Sequence, residues 1–170
     1  MQIRNATKAD LVEILGIYNQ VLRDSMAIYD DRPSSLAERE AWFDSRLKDG
    51  FPVLVAEQDG VVVGFASYGA WRGRWGYRYT VEHSVHVNVD HRGSGVGRAL
   101  LGALIDRARA AGMHVMVGGI DADNRNSIRF HERFGFVQVG CAREVARKFD
   151  RWLDLVTMQL TLDDGTGVRA

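Results

Sequence analysis

Cysteine is nearly absent from this chain, with Cys141 the only one among 170 residues. No internal disulfide can form, and no thiolate metal cluster can be built within the chain. A lone thiol needs an activating neighbour to act as a nucleophile, so the expectation for Cys141 is a buried, inert side chain. A surplus of either charge is also missing. Lys plus Arg number 22 and Asp plus Glu 22, so no overall field draws nucleic acid or an anionic membrane, and electrostatic recognition has to be local. No apolar run approaches the roughly 20 residues of a membrane span, and the first residues, Met1 to Asn5, lack the apolar core of a signal peptide. A cytoplasmic protein with no nucleic-acid and no membrane partner is expected. Internal repeats and low-complexity tracts are lacking as well. What remains is 46% hydrophobic and 26% charged, a composition that suits one globular domain over residues 1–162 with a loose tail at 163–170.

The apolar spacing sets out the elements in order. A short strand over 2–6 leads to Thr7-Lys8-Ala9-Asp10, which has capping-box spacing and opens a helix over about 8–24. A turn-rich piece, 25–33, carries Met26, Ile28 and Tyr29, apolar residues that must pack under the loop or around a ligand. Ser34 or Ser35 caps a second helix that ends at Gly50. Residues 53–56 and 61–66 read as two antiparallel strands joined through Asp59-Gly60. A stretch with neither period follows, 69–79, in which Arg72, Arg74 and Arg78 alternate with Trp71, Trp75, Tyr77 and Tyr79. It reads either as a loop plugging the end of the sheet with solvated arginines or as a holder of a small anion. Strands over 81–89 and 113–119 flank a helix over about 95–111, a run that suits a right-handed crossover between parallel strands. After a polar turn at 121–126, a short helix over 127–134 precedes closing strands at 136–141 and 153–160.

The stretch from Ser84 to Leu104 organises this plan. Val85, Val87 and Val89 alternate with polar residues, a glycine-rich turn follows, and helical spacing resumes. Gly93, Gly95 and Gly97 leave successive backbone N–H groups uncovered at a helix start, where orphan amides and the positive dipole end favour an anion. Arg92 and Arg98 add full charges, so a phosphate or pyrophosphate is the expected guest. The dinucleotide fingerprint would need glycine at 98, where Arg98 stands, and Gly97-Arg98-Ala99 lacks the Gly-Lys-Ser/Thr ending of a nucleotide-triphosphatase loop. A glycine-rich turn that binds nothing also fits the pattern taken alone.

Arg92-Gly93-Ser94-Gly95-Val96-Gly97 resembles the Arg/Gln-x-x-Gly-x-Gly/Ala signature of the GNAT superfamily of N-acetyltransferases. Three further stretches extend the resemblance over nearly the whole chain: residues 79–85, residues 124–136 and residues 148–154. They are similar to the phosphinothricin and methionine sulfone/sulfoximine acetyltransferase branch. The resemblance implies an α/β (α+β) GNAT fold, with a mixed central sheet, two splayed parallel strands and about four helices. It also implies acetyl-CoA as co-substrate, no metal, and a homodimer. The coenzyme set implied is Val85, His86, Val87, Arg92, Gly93, Ser94, Gly95, Val96, Gly97, Arg98, Asn124 and Ser127. Asn124 and Ser127 also suit a plain helix cap.

Acyl transfer to an amine needs a neutral nucleophile, a polarised thioester carbonyl and a proton for the departing thiolate. Glu82, near the start of the strand feeding the glycine loop, resembles the branch's general base; a solvated strand carboxylate is the plain alternative. His131 stands where most of the superfamily has Tyr, and as a histidine it can serve the thiolate, or simply pack on its helix. Amides around Val85 and Val87 are expected to polarise the acetyl carbonyl. For the amine substrate, Arg72 and Arg74 are the expected clamp for a carboxylate or phosphinate, since a guanidinium fork suits such anions. Tyr29, Trp71, Gly73, His83, Ser84 and Phe149 complete the expected pocket. His83, His86 and His91 look like a metal cluster, yet residues three apart on a strand point to opposite faces, so no metal is expected. The resulting expectation is direct acetylation of a small amino-acid analogue in a ternary complex. A polyamine or other small amine, a protein N-terminus, or a non-catalytic acetyl-CoA-binding module are the competing readings.

Overall fold

The computed structural model describes residues 1–162; the expected tail at 163–170 lies outside the described residues. The described residues form four α-helices and seven strands: β1 (Gln2–Asn5), α1 (Leu11–Asp24), α2 (Leu36–Lys48), β2 (Val53–Gln58) and β3 (Val61–Ala70) come first. β4 (Thr80–Val87), α3 (Val96–Ala110), β5 (Val115–Asp121), α4 (Arg125–Glu132), β6 (Val137–Lys148) and β7 (Arg151–Thr161) follow. They form one sheet of order β1-β2-β3-β4-β5-β7-β6. Every neighbouring pair is antiparallel except β4 and β5, which run parallel because α3 carries the chain back between them.

The sheet is buried on both sides at β2 and β3, and β2 shows how the sequence arranges this. Its side chains alternate faces, and all of Val53, Leu54, Val55 and Ala56 are buried. Leu54 and Ala56 join the core under α3 with Leu100, Leu101 and Leu104, whereas Val53 and Val55 join the core under α1 and α2 with Ile14, Ile17 and Phe43. A strand covered twice reads as a continuous apolar run.

Several boundaries differ from the sequence reading for local reasons. Residues 8–10 form a 3-10 turn before α1, because Asp10 turns back to accept from the Thr7 amide at 2.7 Å and pairs with Arg4. That pairing holds the Asp10 carboxyl down to about 2. β3 runs on to Ala70, β4 stops at Val87 before a 3-10 turn at 89–91, and β5 spans Val115–Asp121 rather than 113–119. α4 starts at Arg125, inside the expected polar turn. Most of 142–152, left without structure by the sequence reading, completes a long β6–β7 hairpin whose turn is Phe149-Asp150, with φ of +48° and +58°. Cys141 lies on exposed β6 and is exposed, not buried as expected.

Candidate active site

β4 and β5 pair only from Thr80↔Val115 to Glu82↔Val117 and then part. Beyond that point β4 stays bonded to β3 and β5 to β7, so the two strand edges that face each other carry unpaired backbone groups. A cavity of about 900 Å³ fills this opening. From β4 it is lined by His83, Ser84, Val85, His86 and Val87, and from the glycine loop by His91, Arg92, Gly93, Gly95, Gly97 and Arg98. β5 and the turn after it add Gly119, Ile120, Asp121 and Asn124, and α4 adds Asn126, Ser127, Phe130 and His131.

The glycine loop has the build of an anion cradle. Gly93 and Gly95 take φ of +77° and +90°, a region that L side chains avoid, and Gly95 is the N-cap of α3. The first α3 amide bonded across the cap is that of Ala99, donating to Gly95 O at 3.0 Å. The amides of Val96, Gly97 and Arg98 belong to the first turn, which has no preceding carbonyls to meet. Arg92 and Arg98 stand exposed at the rim. Two expected members of this set are turned elsewhere: the Ser94 hydroxyl donates to His91 O at 2.6 Å, and Val96 is buried under the helix. Asn124 caps α4, its Oδ1 accepting from the Ser127 amide at 3.1 Å, while still lining the cavity.

Alternation along β4 divides the titratable groups between two faces. His83 points toward α4, where its ring stacks on His131 with centroids 5.1 Å apart and meets Phe136 edge-on. His86 points the other way, against Tyr18 and Phe65. These two histidines therefore do not converge, and no group of three metal-binding side chains occurs among the described residues. Burial holds His83 down to about 3 and His86 to about 4. His131 is buried, and burial lowers its pKa against the opposing pull of its bond to Ser127. Its Nδ1 lies 2.7 Å from Ser127 O; a carbonyl only accepts, so Nδ1 carries the hydrogen. The neutral ring then has its lone pair on Nε2, which is buried without a partner among the described residues.

Glu82 shares the His86 face at the last paired register before the strands diverge; it is exposed and lies outside the cavity lining, next to His83 and Gly119 that belong to it. Its Oε1 stands 3.4 Å from where a Cβ on Gly119 would be, so glycine on β5 makes its room. Crowding by protein raises its carboxyl above 4.5, opposed by the charge of Arg46. Tyr29 lies outside the cavity lining, its hydroxyl donating to buried Asp121 at 3.3 Å and to Asp154 O at 3.1 Å. The loop that bears Tyr29 is tied down by Lys148. This buried ammonium donates to Leu22 O, Ser25 O and Ile28 O at 2.5, 2.7 and 2.8 Å. The rest of the expected substrate set lies apart from the cavity lining: Trp71, Arg72, Gly73 and Arg74 on the β3–β4 loop, and Phe149 at the hairpin turn. Arg72 is exposed and packs on the Trp71 ring at 4.5 Å.

In the lining, sequence reasoning missed Asn126, Phe130, Arg133 and Phe134 after the second parallel strand, Gly119, Ile120 and Asp121 on it, His91 before the glycine loop, and Val21 and Ala27. The four-residue spacing from Asn126 to Phe130 was the available signal, since it puts both on one face of α4. Arg46, described below, carried no sequence signal beyond its charge.

The Acetyltransferase (GNAT) family model matches residues 14–136, most of the chain and all of the glycine loop. The chain belongs to the GNAT acetyltransferase family. Within this family it is 53% identical over 162 residues to the L-methionine sulfoximine/L-methionine sulfone acetyltransferase of Pseudomonas aeruginosa, covering 95% of this chain and 94% of that protein. The phosphinothricin N-acetyltransferase of Alcaligenes faecalis is 37% identical over 164 residues, covering 96% of this chain and 83% of that protein. Among solved structures, yncA from Salmonella typhimurium, determined with acetyl-CoA, superposes with a TM-score of 0.93 at 49% identity, covering 98% of this chain and 96% of that one. This GNAT chain is an N-acetyltransferase, and no helix among its described residues is long and apolar enough to cross a membrane.

Proposed function

We propose that this GNAT enzyme transfers the acetyl group of acetyl-CoA to the α-amino group of a small amino-acid analogue of the methionine sulfone, methionine sulfoximine or phosphinothricin type. The observation that carries the reading is the placement of Glu82 where β4 and β5 part, beside an opening that leads to the glycine loop. The names of the relatives supply the substrate class. Acetyl-CoA supplies an activated thioester. The amides of the glycine loop and the charges of Arg92 and Arg98 suit its pyrophosphate, and unpaired amides on the open edge of β4 around Val85 and Val87 suit the acetyl carbonyl.

Glu82, directly or through a water, takes a proton from the substrate ammonium and leaves the amine free to attack. As the C–S bond breaks, the sulfur regains a proton, and His131, at the position that resembles the family's proton donor, lines the cavity with an unpartnered Nε2, as His83 does with both ring nitrogens. The neutral form of His131 receives at Nε2 the proton that the attacking nitrogen sheds as the amide forms, and passes it to the departing sulfur. Cys141, the single cysteine, is exposed and does not line the cavity, so transfer within a ternary complex is the mechanism proposed. The protein is further proposed to act in the cytoplasm, as a homodimer.

The test is a thiol-release assay with methionine sulfone, methionine sulfoximine, phosphinothricin and spermidine, with bisubstrate kinetics on the best. Preference for an amino-acid analogue and intersecting initial-rate lines are expected. Preference for spermidine, or an acetylated enzyme formed without amine, overturns the substrate or the mechanism respectively. Coenzyme binding with no thiol release from any amine would make the chain a binding module.

A further inference from the structure

α2 places a guanidinium near Glu82 that forms no ion pair among the described residues. Arg46 lies across the backbone of Gly69: a Cβ built there would stand 2.0 Å from Nη1, 2.5 Å from Cζ and 2.9 Å from Nη2. Gly69 is the register partner of Glu82 on the adjoining strand. Arg46 is partly buried, and its Nε is buried with no hydrogen-bond partner among the described residues. No ion pair to it occurs among them either, although Asp49 and Glu82 are near enough to be felt. The ring of Trp42 flanks it at 6.0 Å. Arg4, by contrast, closes on Asp10 and Glu57, and Arg39, whose Nε is also buried without a partner, lies over the rings of Tyr18 and Trp42 at 3.9 and 4.8 Å. A half-buried guanidinium left open toward a carboxylate it does not bond is costly unless a ligand completes it.

We propose that Arg46 binds the α-carboxylate of the amino-acid substrate while Glu82 faces its α-amino group. This rests on the amino-acid N-acetyltransferase reading and adds the group that selects an amino acid over a simple amine. An amino acid carries its ammonium and carboxylate on one carbon, so it needs an anion and a cation side by side that do not quench each other. Glu82 and Arg46 meet that description, one from β4 and one from α2. A planar guanidinium accepts a carboxylate through two parallel N–H bonds. Gly69 is part of the device, because any side chain there displaces the guanidinium.

The experiment compares kcat/KM for methionine sulfone with that for its decarboxylated counterpart, 3-(methylsulfonyl)propylamine, in the wild-type enzyme, Arg46→Gln and Gly69→Ala. In the wild type the ratio favours the amino acid. Arg46→Gln is expected to lower that ratio about tenfold or more, mainly through KM for the amino acid, with KM for acetyl-CoA unmoved. Gly69→Ala keeps the charge and shifts it, and is expected to lower the ratio in the same direction, which serves if Arg46→Gln does not fold. An unchanged ratio in a folded variant overturns the inference, since Arg46 would then act on Glu82 or on the fold alone. A wild-type enzyme that prefers the amine defeats the amino-acid reading itself, a separate result.

Discussion

A carboxylate removes a proton from an ammonium only while it is ionised, so the environment of Glu82 sets the acid limb of the reaction. Crowding raises its pKa above 4.5, with Arg46 pulling the other way. Activity is therefore expected to be lost as pH falls through a value raised above the usual carboxylate range and to be full well above it. Replacing Glu82 by Gln is expected to lower kcat by roughly 10²-fold or more, in the range of a lost general base. Acetyl-CoA affinity, measured by calorimetry, should stay within twofold; an unchanged kcat would remove Glu82 from the chemistry. Both Glu82 and His131 were legible as residues, because each lies in a run that resembles the family. Their states were not. The Nδ1–H form of His131 depends on the Ser127 carbonyl one turn back, and its burial depends on His83 and Phe136 from other elements. Arg46 was illegible for the same reason. On a helix that ends in Arg46 and Lys48, a basic residue reads as ordinary dipole complement, and only the bare backbone of Gly69 shows where it lies.

Elements were legible where a local device marks them. The Ser35-to-Glu38 capping box starts α2, the Asp59-Gly60 turn joins β2 to β3, and the glycines at 93 and 95 end in α3. Gly95 at φ +90° leaves the first-turn amides bare, so Gly95→Ala is expected to cost about 1–2 kcal/mol for the left-handed backbone. It should also raise KM for acetyl-CoA while leaving KM for the amine unaltered. Stability by urea titration and the two KM values check this, and an unaffected coenzyme KM would show that the loop does not grip the pyrophosphate. The β6–β7 hairpin was illegible because its turn lacks glycine. Phe149 and Asp150 both hold positive φ, a conformation for which Asn-Gly or Asp-Gly is the usual marker. The chain pays for this with no local signal, and strand pairing from Lys148↔Arg151 onward imposes it.

At the scale of the molecule, the hairpin does two things that no single element shows. Its inner end carries Lys148, which holds the loop after α1 by three carbonyls, while Tyr29 in that loop reaches Asp121 on β5. Lys148→Met leaves three carbonyls without their shared donor, a loss of roughly 2 kcal/mol or more expected in urea unfolding, with a higher KM for the amine than for acetyl-CoA in proportion. The outer strand of the hairpin is the sheet's edge, and although two irregularities interrupt its pairing, apolar side chains remain exposed along it. Val137, Val139 and Val145 on β6 are 60%, 53% and 54% exposed, and Trp152 on β7 is 60% exposed. Solitary exposed valines are ordinary, but several on one unpaired edge strand invite a partner strand or sheet. The homodimer proposed above puts this edge to use. Sedimentation equilibrium is expected to give twice the 19.0 kDa chain mass, and Val139→Lys with Val145→Lys is expected to shift the protein toward monomer by setting charge on the apolar edge. A wild-type monomer would refute the dimer. A dimer indifferent to both lysines would place its interface elsewhere, with the aromatic loop at 71–79 the next exposed surface to substitute.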